Sequence, residues 1–359
     1  MEDQALEDLT VLLPPLLHAL ERLGFISRYL DPPRFVELME AVGKPDATLR
    51  EARARLDAWP ADMAGLRDIL ASGADAALSA FEELRAAPEQ SDGLGAVFRA
   101  LRHLPRAQET LYPLARDLPP LSRFFLEPNV RGDDELVKRI AAAPPRDDTG
   151  VMHIENDPGS RGGFSLYVPE YYDPETAMPV VFALHGGSGN GRGFLWSWLR
   201  DARSHGAIVV SPTAVGRTWA LQGPDADTPN LRRMLDIVKQ HWSVDETRLL
   251  LGGMSDGGTF SYVSGLEPGS PFTHLAPTSA AFHPMMAAYA DKERLAGLPI
   301  HITHGALDWM FDVGMARGAR DALERAGAAV TYREIEDLAH TYPREINPEI
   351  LRWLSSPPA

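Results

Sequence analysis

At 359 residues the chain is long enough for one large α/β domain plus a smaller one, each with a sizeable core. Its composition, 44% hydrophobic and 24% charged, is that of an ordinary globular protein, and 35 basic against 50 acidic residues leave a net charge of −15, which argues against nucleic acid or an anionic membrane surface as partner. The absence of cysteine excludes disulfides, thiolate metal sites and a cysteine nucleophile together.

The opening segment, MEDQALEDLT, is acidic where a secretory signal would be basic. No uninterrupted apolar run approaches the ~20 residues of a membrane span. A soluble, cytoplasmic protein is expected. Leu6, Leu9, Leu12, Leu13, Leu16, Leu17 and Leu20 recur at helical spacing, with Pro14 and Pro15 expected to break or kink that helix. Pro32 and Pro33 suit the start of a helix at Arg34. Met63, Leu66, Ile69, Leu70, Ala77, Phe81 and Leu84 form a second long amphipathic stretch, and Leu94, Val97, Phe98 and Leu101 a third. Asp133, Asp134 and Glu135 place negative charge where a helix N-terminus favours it. Residues 1–142 therefore read as a helical domain, serving as a cap, a dimerisation surface or a structural partner. Residues 143–150 lie in a proline- and charge-rich linker.

Beyond the linker the period changes. Residues 163–169 (GFSLYVP), 180–184 (VVFAL), 207–210 (AIVV), 248–251 (RLLL), 300–303 (IHIT) and 330–335 (VTYREI) read as strands. Helical segments are predicted at 192–204, 230–242, 256–265 and 314–326. Strands alternating with helices over 151–359 predict an α/β domain: a mostly parallel sheet with helices on both faces. Sites in such sheets form at the carboxyl ends of the strands.

Gly253-Met254-Ser255-Asp256-Gly257 matches G-x-S-x-G between a predicted strand and a predicted helix. That context suits a tight turn that lifts a nucleophilic hydroxyl above the sheet, the glycines avoiding clashes that any side chain would cause. A serine needs a base and an orienting acid. Asp308 lies just beyond the 300–303 strand and His340 just beyond the 330–335 strand, in the order nucleophile, acid, base. Asp312 and Asp337 are rival acids, less well placed; His301 and His304 are rival histidines on the strand before Asp308. Oxyanion donors are expected from the Asp256 amide and from the glycine-rich loop His185–Gly191, with Gly187 as donor and Ser188 as the alternative. Trp219, His283 and Trp309 are candidate substrate-binding residues; Trp196 and Trp198 are further aromatics near the loop. The segment lacks G-x-x-x-x-G-K-[ST], and no H-E-x-x-H zinc spacing occurs, so neither a metal nor an organic cofactor is expected.

LHGGSGNG, GGMSDGG, THGALDWMF and EDLAH, in this order, resemble α/β-hydrolase serine esterases, nearest the phospholipase/carboxylesterase family and the feruloyl-esterase and polyester-depolymerase types. The resemblance covers about residues 150–359. It implies Ser255 as nucleophile, Asp308 as acid, His340 as base, and Gly187 and Asp256 as oxyanion donors. The implied activity is serine carboxylesterase action on short or medium acyl or aryl esters, with a small-molecule ester as partner and a homo-oligomer possible. Peptidase or thioesterase chemistry on the same triad, and a non-catalytic interaction protein, are the competing readings. Asp256 departs from the small or uncharged residue common at that position, and the helical half is foreign to the usual single-domain form.

Overall fold

The computed structural model describes residues 2–356 and divides into two units, Met1–Ala141 and Ala142–Ala359. The first unit is helical. Its helices are α1 (Glu2–Tyr29), α2 (Phe35–Val42), α3 (Asp46–Ala54), α4 (Ala64–Ala86), α5 (Gly93–Leu101), α6 (His103–Leu111), α7 (Pro119–Phe124) and α8 (Asp134–Ala142). Leu12, Leu16, Ala19, Leu20, Leu23 and Ile26 of α1 are all buried, as are Leu70, Ala77, Phe81 and Leu84 of α4. Asp46 of α3 receives two hydrogen bonds from the Arg85 guanidinium of α4, at 3.0 and 2.5 Å. Burial works against the charged carboxylate, but the hydrogen bonds and charge of Arg85 outweigh it and hold Asp46 below the usual carboxylate range.

Two expectations for this half are corrected. The helix α1 runs unbroken for 28 residues through Pro14 and Pro15. Each internal proline costs roughly 3 kcal/mol by propensity, but the buried stripe on both sides of the pair holds the segment in one helix. That stripe also makes Gln4–Tyr29 long and apolar enough by composition to cross a bilayer. Counting uninterrupted apolar residues missed this, because scattered polar residues interrupt an otherwise apolar helix. Here the apolar face packs inside the helical unit. A smaller shift occurs at Pro32, where a 3₁₀ turn (Pro32–Arg34) precedes α2 instead of α2 starting at Arg34.

The second unit holds one eight-stranded sheet: β1 (Gly150–Ile154), β2 (Phe164–Val168), β3 (Met178–Leu184), β4 (Ile208–Pro212), β5 (Val244–Met254), β6 (His274–Thr278), β7 (Pro299–Gly305) and β8 (Ala329–Ile335). The spatial order is β1-β2-β4-β3-β5-β6-β7-β8. Strand β2 is antiparallel to both β1 and β4, and every pair from β4 to β8 is parallel. Helices α9 (Gly191–Phe194), α10 (Leu199–His205), α11 (Asp227–His241), α12 (Asp256–Gly265), α13 (Met285–Tyr289), α14 (Lys292–Leu295), α15 (Val313–Arg325) and α16 (Asn347–Leu354) complete it. All seven residues of β3 are buried, which fits an interior parallel strand covered on both faces. This is the α/β-hydrolase fold.

Strand β1 has no counterpart in the sequence reading; for β6 the one sign is the apolar stretch 277–282 (PTSAAF) before His283, which overlaps its end. Strand β6 is short and carries Pro277, a residue that withholds a ladder donor and argues against an interior strand. The helix expected over 192–204 is interrupted by a 3₁₀ turn at Leu195–Ser197. Trp196 and Trp198 are both almost fully buried. Two residues apart, they cannot share one face of an α-helix, so the backbone departs from it.

Candidate active site

The strands β5, β7 and β8 end side by side, and each delivers one polar side chain. Strand β5 turns into α12 at Ser255, whose backbone sits at φ 56, ψ −120. A non-glycine residue held there stores on the order of 1–3 kcal/mol of strain. The Ser255 amide donates to the Thr278 carbonyl at 3.0 Å, and the Ser255 carbonyl accepts from Thr259 at 2.8 Å to start α12. The flanking glycines make the turn possible. A Cβ on Gly253 would lie 2.6 Å from the Leu184 carbonyl oxygen, and one on Gly257 would lie 2.5 Å from the carbonyl oxygens of Leu184 and His185. These are backbone atoms of a buried strand end and cannot retreat. Gly257→Ala is therefore expected to destabilise the unit by about 3 kcal/mol, the upper end of ordinary overpacking. A thermal melt measures this, and an unchanged midpoint would contradict the close-approach account.

The acid and the histidine come together through backbone pairing of their loops. Beyond β7, the Ala306 amide donates to the Ile335 carbonyl at 2.9 Å and the Leu307 amide to the Leu338 carbonyl at 3.0 Å. Gly305 permits the approach, since its Cβ would lie 2.1 Å from the Leu338 oxygen. Asp308 and His340 follow directly on these paired stretches. His340 Nδ1 lies 3.0 and 2.9 Å from the two carboxylate oxygens of Asp308, and His340 Nε2 lies 3.0 Å from Ser255 Oγ. An ionised carboxylate only accepts, so Nδ1 carries the hydrogen and the Nε2 lone pair faces the serine hydroxyl. All three side chains are buried. Burial alone would push the Asp308 carboxyl up. The hydrogen bond from His340 and the amides of Phe311 (2.8 Å) and Met310 (3.0 Å) outweigh it and hold the group below its ordinary value.

Of the rival acids, Asp312 is engaged elsewhere: it caps α15 by accepting from the Gly314 amide. His304, a rival base, serves the acid loop instead. It is buried, its Nε2 donates to the Phe311 carbonyl at 2.8 Å, and it lies 3.4 Å from Asp308 Oδ2. The rings of Trp309 and Phe311 stand edge-on to His340, with centroids 5.8 and 5.3 Å away. Trp309 is 39% exposed and flanked by exposed Leu307 and Met310, an apolar rim beside the histidine. His283 is exposed after β6, its Nδ1 accepting from the Met285 amide.

The glycine-rich loop after β3 folds into a turn closed by the Gly189 amide on the Gly186 carbonyl at 3.0 Å, with Ser188 at φ 58 and both Gly187 and Ser188 exposed. The Asp256 amide belongs to the first turn of α12, whose N–H groups have no acceptor within the helix. Trp219 is corrected as a substrate contact. It is buried beneath the loop, its indole donates to the His185 carbonyl at 2.7 Å, and its ring stacks on Phe260 at 5.4 Å.

Three supports for this loop escaped the sequence reading. His185 Nδ1 donates to the Gly186 carbonyl at 2.7 Å and its Nε2 accepts from the Ala214 amide at 3.2 Å. Asp227 accepts from the amides of Val215 and Ala220, both at 2.8 Å, and so ties down the 215–220 loop. Thr218 of that loop donates to Asp256 Oδ2 at 2.5 Å. The adjacency of His185 to the glycine run was the one available signal; Thr218 and Asp227 gave none.

His185 is almost fully buried, and that burial pushes its pKa down to about 4. The unfolded chain binds a proton near 6.5, so this contribution is complete above that pH and is lost as pH falls toward 4. The loss amounts to about 3 kcal/mol. Between pH 7.5 and 4.5 the denaturant midpoint should therefore fall further for the wild type than for His185→Gln; equal falls would refute the assignment.

Residues 224–355, which include Ser255, Asp308 and His340, match the family model described as phospholipase/carboxylesterase. A bifunctional acetylxylan esterase/xylanase from Neocallimastix patriciarum is 26% identical over 216 residues, covering 58% of this chain and 30% of that protein. A probable feruloyl esterase C from Aspergillus clavatus is 24% identical over 176 residues, covering 47% of this chain and 62% of that protein. The chain thus spans about a third and three-fifths of these relatives' lengths. A crystal structure of a thermostable esterase superposes with a TM-score of 0.47 at 19% identity, over 58% of this chain and 63% of its own. The resemblance to α/β-hydrolase esterases seen in the motifs is therefore supported by family model and relatives alike.

Proposed function

We propose that the second unit is a serine carboxylesterase that works through an acyl-enzyme. The observation that carries this reading is the continuous hydrogen-bond chain from Ser255 Oγ through His340 to Asp308, at 3.0 Å and 2.9 Å. His340 Nε2 takes the hydroxyl proton as Ser255 Oγ attacks the ester carbonyl. Asp308 keeps the imidazole in the tautomer that can accept, and stabilises the imidazolium that forms. The carbonyl oxygen becomes an oxyanion held by the amides of Gly187 and Asp256, the second of which also lies at the positive end of α12. Collapse expels the alcohol, which takes its proton from His340. Water then attacks the acyl-enzyme, giving its proton to His340, and Ser255 leaves with that proton as the acid is released.

Short or medium acyl and aryl esters are the substrate class. Trp309, with Leu307 and Met310 beside it, offers an apolar rim for such an acyl group next to the histidine. The names of the relatives, an acetylxylan and a feruloyl esterase, make acetyl and aryl-acyl esters the first to try. The test has two arms. A fluorophosphonate probe should label Ser255, and a p-nitrophenyl ester series from C2 to C12 should be hydrolysed with a chain-length optimum, while matched anilides react far more slowly. Absence of both labelling and ester turnover would leave a non-catalytic fold; preference for the anilides would make it a peptidase.

A further inference from the structure

Asp256 is an unusual neighbour for an oxyanion. Its backbone amide serves a developing negative charge in the mechanism above, while its side chain brings a fixed one. Thr218 donates to Oδ2 at 2.5 Å, and a Cβ on Gly187 would lie 2.8 Å from the same oxygen. The carboxylate therefore lies against Gly187, which carries the other oxyanion donor and is exposed. Its second oxygen, Oδ1, has no hydrogen-bond partner among the described residues, and no cationic side chain among them pairs with either oxygen. Asp256 is half-buried in the first turn of α12. The positive end of that helix favours a negative charge, which explains how the carboxylate is tolerated. It leaves open what that charge does to a substrate.

We propose that Asp256 determines specificity by charge: its carboxylate favours esters with a cationic group near the ester bond, rejects anionic ones, and drives out the carboxylate product. The inference rests on the esterase reading above, which seats the ester carbonyl oxygen between the amides of Gly187 and Asp256. An oxygen held by both amides lies within a few ångströms of a carboxylate that belongs to one of these residues and packs on the other. Near a protein surface, a unit charge at that range shifts binding by about an order of magnitude or more.

The bond from Thr218 fixes the charge in place, so it acts on every substrate. It attracts an ammonium group and repels a carboxylate or sulfonate. Hydrolysis releases the acid as an anion at this same spot, beside a like charge, so the product is bound weakly and leaves. A neutral ester forms its oxyanion against the same repulsion. A cationic group on the substrate offsets that repulsion, because it neutralises the carboxylate as the oxyanion develops.

The test is a ladder of substrate charge at similar shape: acetylcholine, its uncharged isostere 3,3-dimethylbutyl acetate, and 2-sulfoethyl acetate. Each is assayed with the wild type, Asp256→Asn and Thr218→Val. Asp256→Asn keeps the side-chain volume and an oxygen for Thr218 but removes the charge; Thr218→Val breaks the same bond and keeps the charge. In the wild type kcat/KM should fall about tenfold at each step from cation to neutral to anion, the scale of one partly screened charge pair. Asp256→Asn should flatten the ladder, raise kcat on the neutral ester, and bind acetate about tenfold more tightly as a competitive inhibitor. Thr218→Val should keep the ladder. A ladder that persists in Asp256→Asn would assign it to the net charge of −15 instead. That result, a wild type without a ladder, or equal flattening in both variants would overturn the inference and leave the esterase intact. A wild type inert on all three esters and on p-nitrophenyl acetate would remove the esterase reading and this inference with it.

Discussion

Ser255→Ala is expected to lower kcat on p-nitrophenyl acetate by about 10⁶-fold, the scale found when a triad nucleophile is removed. The substitution deletes one oxygen whose side-chain bond is to His340 Nε2. It leaves the turn in place, because the contacts that hold the backbone at φ 56 are made by the Ser255 amide and carbonyl and by the flanking glycines. Activity and folding should separate cleanly: near-identical melting curves, with turnover reduced to the background that the oxyanion donors and binding alone support. Retention of activity within tenfold of the wild type would show that hydrolysis proceeds elsewhere in the chain.

Asp308→Asn should cost about 10⁴-fold in kcat, nearly as much, by a different route. In the wild type one carboxylate oxygen receives the Met310 and Phe311 amides, and both face His340 Nδ1. In the variant the side-chain amide oxygen would keep the two backbone donors, because an NH₂ group cannot accept them. The NH₂ would then face His340, and only an Nδ1 lone pair can receive it. The hydrogen moves to Nε2, the atom that must accept from Ser255, and the base is lost with the geometry intact. Transient kinetics should show slowed acylation at unchanged substrate binding. A variant that acylates at the wild-type rate would mean that Asp308 holds the loop but does not orient the imidazole.

The site's legible parts were those whose chemistry is written locally. The turn around Ser255 announces itself because Gly253 and Gly257 are demanded by carbonyl oxygens a few ångströms away, and glycine is the one residue without a Cβ. Asp308 and His340 could be placed because a parallel sheet delivers successive strand ends to one edge. Strand β6 was hard to delimit because Pro277 contradicts its own context, and the break that Pro14–Pro15 suggested in α1 does not occur because a buried stripe outweighs two local penalties.

What the sequence determined, then, was the order of the elements, the α/β-hydrolase sheet and the three side chains that meet at its carboxyl edge, since period, turn residues and chain order act over a few residues at a time. What only the tertiary structure decided was how distant segments meet. Thr218, 38 residues before Asp256, takes hold of its carboxylate. Leu307 pairs with Leu338 to bring acid and base together. Trp219 turns inward because the His185 carbonyl, 34 residues earlier, needs a donor. These contacts depend on the packing of segments that no local pattern relates, and a buried donor or acceptor finds its partner only once the chain has closed around it.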